Sequence, residues 1–230
     1  MHVRPRSGPM TKTSDLFRKG IRKLSLDLGD QAIEQLCLYL AELQKWNRRI
    51  NLVAKAPEEV LIEKHFLDSL TLVPQVKNSP PPGLMDVGSG AGFPGMVLKI
   101  ACPDLKVTLV EPRQKRVSFL RHLIRTLGLM EIEVLETRLE NNNEELVKWH
   151  NSTPILASRA FTSISLFLEL AEPFCTDGGQ VIFMKGRKAE EEIAEWQKSS
   201  ATGHFRLNKI IETALPFTNT PRKLLLFNKR

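Results

Sequence analysis

Leu84-Met85-Asp86-Val87-Gly88-Ser89-Gly90-Ala91-Gly92-Phe93-Pro94-Gly95 is the stretch that decides the fold of this chain. A short apolar run closes on Asp86, glycine then falls at 88, 90, 92 and 95, and Pro94 opens a helical pattern. Without a Cβ, glycine lets the backbone turn sharply and lets a ligand lie against the main chain. A strand running into such a turn and then a helix is the nucleotide-binding corner of a doubly wound α/β sheet. Gly90-Ala91-Gly92-Phe93-Pro94-Gly95 matches G-x-G-x-x-G literally, and Glu111 follows at about the 20-residue distance where an acid takes a ribose hydroxyl. The register argues against a dinucleotide, because Asp86 and Gly88 already occupy the point where that turn begins. Pro94 also removes one N–H from the helix N-terminus, where a pyrophosphate needs donors.

The other frame, Asp86-x-Gly88-x-Gly90-x-Gly92, resembles the first motif of S-adenosylmethionine-dependent methyltransferases. That cofactor has no phosphate and carries a positive sulfonium, so acids and a close backbone suit it better than an anion nest. A ligand-free surface turn is disfavoured, since closely spaced glycines cost backbone entropy that an ordinary turn does not need.

Working outward, strands and helices alternate. Residues 84–87, 106–110, 132–135, 154–157 and 180–184 read as strands, and 94–101, 114–127, 164–171 and 190–197 as helices. Residues 205–211 and 224–227 read as a final strand pair. Repeated β-α units require right-handed crossovers and a mostly parallel sheet. Before the glycine turn, Asp30 is placed to cap a helix whose Ile33, Leu36, Tyr39, Leu40 and Leu43 recur three and four apart. Pro57 fits a first helical position, and that second helix is expected to continue, broken, through His65 to Leu72. The division expected is a basic, disordered leader over 1–14, a helical cap over 15–76, a proline-rich joint over 77–83 and the α/β domain over 84–230.

Composition sets bounds on function. A chain of 230 residues with 42% hydrophobic and 26% charged residues belongs to the ordinary globular class rather than the disordered one. No apolar run approaches the ~18 residues of a membrane span. Cys37, Cys102 and Cys175 are odd in number and far apart, with no C-x-x-C, so buried thiols in a reducing cytoplasm are expected, and no metal. A net charge of +7 tilts the expected partner toward nucleic acid.

Further segments narrow the class. Trp46-Asn47-x-x-Ile50-Asn51-Leu52 and His65-Phe66-Leu67-Asp68-Ser69-Leu70 precede the glycine turn, and Lys115-Arg116-Val117-x-Phe119-Leu120 follows the second strand. Arg138-Leu139-Glu140, Ser158-Arg159-Ala160-Phe161 and Lys185-Gly186 come later. In this order and spacing, over roughly residues 16–230, the chain resembles the bacterial small-subunit rRNA guanine-N7 methyltransferase family (RsmG, also called GidB). The resemblance implies a class I methyltransferase fold, Rossmann-like, with a seven-stranded sheet and an N-terminal helical cap. It implies S-adenosylmethionine as methyl donor and N7 of one guanine in small-subunit (16S) rRNA, or in the 30S particle, as acceptor. It also implies cofactor contacts at Gly88, Phe93, Leu139, Glu140 and Arg159.

Glu111 is the residue expected on the ribose, since a carboxylate at a strand's end suits a cis-diol; Asp86, Gly90 and Gly92 adjoin it in the turn. No acid/base pair stands out, which agrees with the chemistry: guanine N7 has a lone pair and no proton to remove. His65, Asp68 and Ser69 share a helix face at i, i+3 and i+4 and are candidates for closing the cap over the site or touching rRNA. A buried hydrogen-bonded set is the competing reading. Arg113, Lys115, Arg116, Arg121 and Arg125 give one helix an acid-free charge run that would face phosphate, and Lys185 would extend it. A monomer is expected. An NAD-type oxidoreductase and a non-catalytic rRNA-binding factor are the alternatives.

Overall fold

The computed structural model describes residues 11–77, 83–140, 143–159, 162–199 and 203–230. Residues 1–10 of the expected leader, residues 78–82 of the proline-rich joint, and Ala160 and Phe161 lie outside the described residues.

The sheet has seven strands: β1 (Gly83–Val87), β2 (Lys106–Val110), β3 (Ile132–Leu135), β4 (Thr153–Arg159), β5 (Cys175–Lys185), β6 (Phe205–Ala214) and β7 (Pro221–Lys229). Their order is β3-β2-β1-β4-β5-β7-β6. Strands β1 to β5 pair in parallel, while β7 lies antiparallel between β5 and β6. The order reverses between β1 and β4. Outside the carboxyl ends of those two strands the following loops diverge and leave a crevice, which is where open α/β sheets hold ligands.

Helices α6 (Gly95–Ala101) and α7 (Gln114–Leu127) cover one face of the sheet, and α8 (Ile164–Ala171) and α9 (Ala189–Gln197) the other. The first face is covered again by the cap, whose Phe17, Leu36, Tyr39 and Phe66 share one apolar cluster with Met96, Leu98 and Leu120. Burying cap side chains of this size is worth about 1.5–3 kcal/mol each, so cap and sheet share one core.

The cap comprises α1 (Lys12–Lys23), α2 (Asp30–Asn47), α3 (Glu58–Leu61), a π-helical segment (Ile62–Leu67), α4 (Asp68–Leu70) and α5 (Val73–Lys77). Helix α1 corrects the expected leader: Thr11 and Ser14 form a reciprocal capping box, so ordered chain begins inside residues 1–14. Gly29, not Asp30, is the N-cap of α2, and Pro57 and Pro94 are N-caps rather than first helical residues. Strands β4 to β7 run longer than their apolar stretches, because polar residues such as Thr153 and Arg159 continue the ladder. No helix among the described residues is long and apolar enough to cross a membrane.

The π segment widens the cap helix where it meets the sheet, a distortion often found at functional sites. The buried Glu63 carboxylate accepts from the Phe217 and Thr218 N–H groups, each at 2.7 Å. Asp68 accepts from Arg222 Nε at 3.0 Å. The cap is thereby tied to the β6–β7 connection and to the start of β7.

Candidate functional site

The turn after β1 is left-handed at Gly88, Gly90 and Gly92, with φ of 75°, 59° and 97°. A side chain at any of these is strained, and at Gly92 a Cβ would also stand 2.7 Å from the Tyr39 hydroxyl. Most amides of the turn are engaged inside the protein. Gly88 and Ser89 donate to the Val110 carbonyl at 2.9 and 3.2 Å, and Gly92 and Phe93 to the Ser89 carbonyl at 2.7 and 3.0 Å. Gly90 donates to Glu111 Oε2 and Gly95 to Asp86 Oδ2, both at 2.9 Å. Pro94 has no N–H. A pyrophosphate would have to break these bonds to find donors, so the arrangement opposes a dinucleotide and suits a ligand without phosphate.

Glu111, at the end of β2, is 2% exposed. Besides Gly90, it accepts from the Arg113 N–H at 3.0 Å, and Arg116 Nη1 stands 3.7 Å away. Each carboxylate oxygen keeps a lone pair beyond these bonds, enough to take the two hydroxyls of a cis-diol. Beside it opens a cavity of about 570 Å³ lined by Gly88, Pro112, Arg113, Thr137, Leu139 and Glu140, within the size range of small-ligand sites. Leu139 and Glu140 thus stand across the cleft from the glycine turn. A second cavity, about 390 Å³ among Gly29, Gln35, Lys99 and Gly128, lies away from the turn.

Asp86 sits beneath the turn, fully buried, with Oδ2 on Gly95 and Oδ1 without a partner among the described residues. Burial pushes its carboxyl up to about 7, against the pull of the Gly95 N–H and Arg159. A buried acceptor with spare capacity, next to a second acid and with most of the turn's amides already taken, fits a cationic nucleoside such as S-adenosylmethionine. The folded protein keeps the Asp86 proton up to about pH 7, whereas the unfolded chain releases it near 3.8. This group's contribution to stability is therefore full below pH ~4 and is lost as pH rises to about 7, on the order of a few kcal/mol. Asp86→Asn is expected to remove that slope, so urea midpoints of variant and parent diverge between pH 4 and 7 and run parallel above. Parallel curves throughout would refute the assignment.

Gly95 permits the Asp86 contact. A Cβ there would lie 2.5 Å from Leu109 Cδ2 and 2.8 Å from Asp86 Oδ2. Gly95→Ala is expected to destabilise by about 1–3 kcal/mol, the usual cost of overpacking, and to weaken S-adenosylhomocysteine binding. Thermal unfolding and calorimetric titration would read both, and an unchanged midpoint would contradict the packing described.

Arg159, at the end of β4, turns toward the cap. It donates to the Lys64 carbonyl at 3.3 Å and to His65 Nδ1 at 3.1 Å, and stands 3.9 Å from Asp68 Oδ2. Its guanidinium also lies over the Phe93 ring at 5.1 Å. Since Arg159 can only donate, His65 Nδ1 is unprotonated and the neutral ring carries its proton on Nε2. Burial, with Arg159 and Lys64 nearby, lowers His65 to about 4, so it stays neutral at physiological pH. His65 and Tyr39 both stack on Phe93, at 5.1 and 5.3 Å between ring centres. The Phe93 ring is therefore an inward support of the turn rather than part of the open cleft wall. Burial lifts Asp68 above the usual carboxylate range despite the opposing pull of Arg222 and Arg159.

Of the residues read as RNA contacts, Ser69 is corrected: it is fully buried and its hydroxyl donates to the His65 carbonyl at 2.6 Å. Lys185 is corrected too, since its ammonium is directed to Glu192 Oε2 at 2.6 Å and the Thr162 carbonyl at 3.4 Å. Asp68 is 5% exposed and His65 half-buried, so these two face Arg159 rather than open solvent. On α7, Arg113, Lys115 and Arg125 are exposed, while Arg116 is drawn to Glu111 and Arg121 to Glu136 at 3.1 Å. Sequence reasoning missed Glu63, Arg222 and the Tyr39 hydroxyl, which donates to the Ala91 carbonyl at 2.5 Å. Tyr39 is the chain's sole tyrosine at a core-spaced position, and that pairing of facts was the available signal.

Strand order, glycine turn and acid-closed cleft together define a class I S-adenosylmethionine-dependent methyltransferase. The fold is similar to that of a SAM-dependent methyltransferase from Aquifex aeolicus, with a TM-score of 0.57 at 18% identity over 83% of this chain and 98% of that one. It is also similar to a predicted O-methyltransferase from Agrobacterium tumefaciens, TM-score 0.56 at 21% identity over 70% and 80% of the two chains. Within that class the chain belongs to the GidB family, rRNA small subunit methyltransferase G, whose pattern matches residues 32–222. Its relatives include the ribosomal RNA small subunit methyltransferase G of Desulfotalea psychrophila, 39% identical over 90% of this chain and 94% of the relative. That of Bacillus cytotoxicus is 35% identical over 93% and 89%.

Proposed function

We propose that the protein transfers a methyl group from S-adenosylmethionine to N7 of a guanine in 16S rRNA, acting in the cytoplasm as a monomer on the free rRNA or the 30S particle. The observation that carries the cofactor half is the glycine turn, most of whose amides are engaged internally, with the Glu111 carboxylate beside it and the buried Asp86 carboxyl beneath it. Family membership supports the substrate half.

S-adenosylmethionine, when bound, supplies an electrophilic methyl on a sulfonium. Gly88, Glu111, Leu139 and Glu140 would hold its nucleoside part, with Gly90 and Gly92 shaping the turn over Asp86. Phe93 and Arg159 would act from the cap side, Phe93 through its packing against His65 and Arg159 through its position at the end of β4. Because N7 has no proton, the protein's task is alignment and exclusion of other nucleophiles, not base catalysis. Methylation leaves the guanine cationic, so nearby carboxylates and carbonyls favour the transition state. Arg113, which caps α7, and Lys115, Arg116, Arg121 and Arg125 on it are the candidates for drawing in the RNA backbone, foremost the exposed Arg113, Lys115 and Arg125, which among the described residues have no carboxylate partner.

The test is transfer of tritium-labelled methyl to small-subunit RNA, followed by mapping of the labelled position. Label on one guanine N7 is expected. No transfer, label on another atom, or a thermal shift with NAD in place of S-adenosylhomocysteine would overturn the proposal.

A further inference from the structure

The run from Leu43 to Pro57 carries Lys45, Arg48, Arg49 and Lys55 and no acid, and it takes no part in the cleft. Its loop is built to hold one shape. The Asn47 carboxamide accepts from the Leu52 and Val53 N–H groups at 2.8 and 3.1 Å and donates to the Val53 carbonyl at 3.0 Å. Leu52 is buried beneath it, and the preceding Trp46 packs against Phe119 and His122 of α7, at 5.6 and 5.1 Å between ring centres.

On this frame Arg48, Arg49 and Lys55 stand exposed, and among the described residues no carboxylate pairs with any of them. Many surface cations elsewhere are paired: Arg18 with Asp30, Arg121 with Glu136, Lys223 with Glu190 and Glu212. Like charges held together without counter-charge repel one another, and a polyanion relieves that repulsion. Arg48 and Lys55 also line a depression of about 270 Å³ whose apolar wall includes Val53, Ala56 and Leu61. Leu61 leads directly into the π segment, where the exposed Lys64 has its carbonyl held by Arg159. On the other side, Trp46 joins the loop to α7 and its exposed Arg113, Lys115 and Arg125.

We propose that the Asn47-tied loop is a docking surface for the rRNA backbone, with Arg48, Arg49 and Lys55 as its phosphate contacts. This rests on the reading that rRNA is the substrate. Phosphate contacts fix position and carry no base identity, so the loop sets where the strand lies while the cleft selects the guanine. Because Asn47 already holds the loop, binding loses little conformational entropy.

The test is the full-length R48E/R49E/K55E variant, assayed for methyl transfer to 16S rRNA, for RNA binding by fluorescence anisotropy across a salt series, and for S-adenosylhomocysteine binding. KM for RNA is expected to rise roughly tenfold or more, with kcat and S-adenosylhomocysteine affinity unchanged, and the salt dependence to become shallower by about two to three contacts. A wild-type KM and salt slope, or a fall in kcat at constant KM, would overturn the proposal. R48Q/R49Q/K55Q guards against misfolding of the charge reversal: if it melts as wild type and binds RNA equally well, the proposal fails. Wild-type protein that binds 16S rRNA but transfers no methyl to it would sink the catalytic reading alone, since the anisotropy comparison still decides the loop's role.

Discussion

Glu111→Ala is expected to lower methyl transfer by roughly 100-fold or more, chiefly through lost cofactor affinity. The substitution removes two part-buried bonds that the carboxylate accepts from backbone N–H groups, those of Gly90 and Arg113 at 2.9 and 3.0 Å. Hydrogen bonds to a charged group are worth about 1.5–3 kcal/mol each. The Gly90 bond also helps the Gly88 and Ser89 bonds to the Val110 carbonyl hold the glycine turn to β2, so the alanine variant loses the acid for the ribose and one of the three ties that shape the loop beside it. Glu111→Gln keeps one accepting oxygen but points an NH2 group at one of two N–H donors, and should fall between the two. Calorimetric titration with S-adenosylhomocysteine reads the affinity, and single-turnover label transfer reads the chemistry. An alanine variant that folds and still binds within threefold of wild type would remove Glu111 from the site.

Asp68→Ala is expected to act differently. Its carboxylate stands between Arg222 at 3.0 Å and Arg159 at 3.9 Å, with a side chain 7% exposed. Taking it away leaves two guanidinium groups facing each other without the charge between them. Breaking a buried pair costs about 3–5 kcal/mol, and the lower end applies because both arginines keep some solvent contact. Methylation should fall while S-adenosylhomocysteine affinity is spared, because Asp68 steadies Arg159 and the cap rather than the adenosine cleft. Removing Arg222 as well should cost less than the sum of the two single changes, since the second deletion relieves the stranded charge. Equal loss of cofactor binding and methylation, together with loss of fold, would reduce Asp68 to a structural role.

Much of the α/β half could be read directly because its signals are local. Residues 106–110, 114–127, 132–135 and 164–171 carry period-two or period-3.6 patterns that match β2, α7, β3 and α8 to the residue. The glycine register and the spacing to Glu111 likewise located one edge of the cleft, since both follow from a turn whose geometry only glycine tolerates. What escaped was non-local or mixed in character. Helix α1 opens with Thr11 and Ser14, a capping pair hidden by the basic residues around it. Tyr39 keeps the spacing of a core residue while its hydroxyl reaches the glycine turn. Lys185 looked free because Glu192, its partner, lies across a turn in the first turn of α9 and pairs with it only once that helix folds back. No pattern within a short window could pair Glu63 with Phe217 or Asp68 with Arg222, since 154 positions separate each pair.

Those last two pairings bear on how the protein comes into being. Translation delivers the carboxylates of Glu63 and Asp68 early and their receivers, on the β6–β7 connection and at the start of β7, late. Contacts this distant along a chain form slowly, because so much intervening polypeptide must first be ordered. A nascent polypeptide therefore has its glycine turn and cleft acids in hand while Arg222 is still inside the exit tunnel, leaving the clasp around Arg159 incomplete. Competence to modify a ribosome would then arise only after the final hairpin has emerged from one.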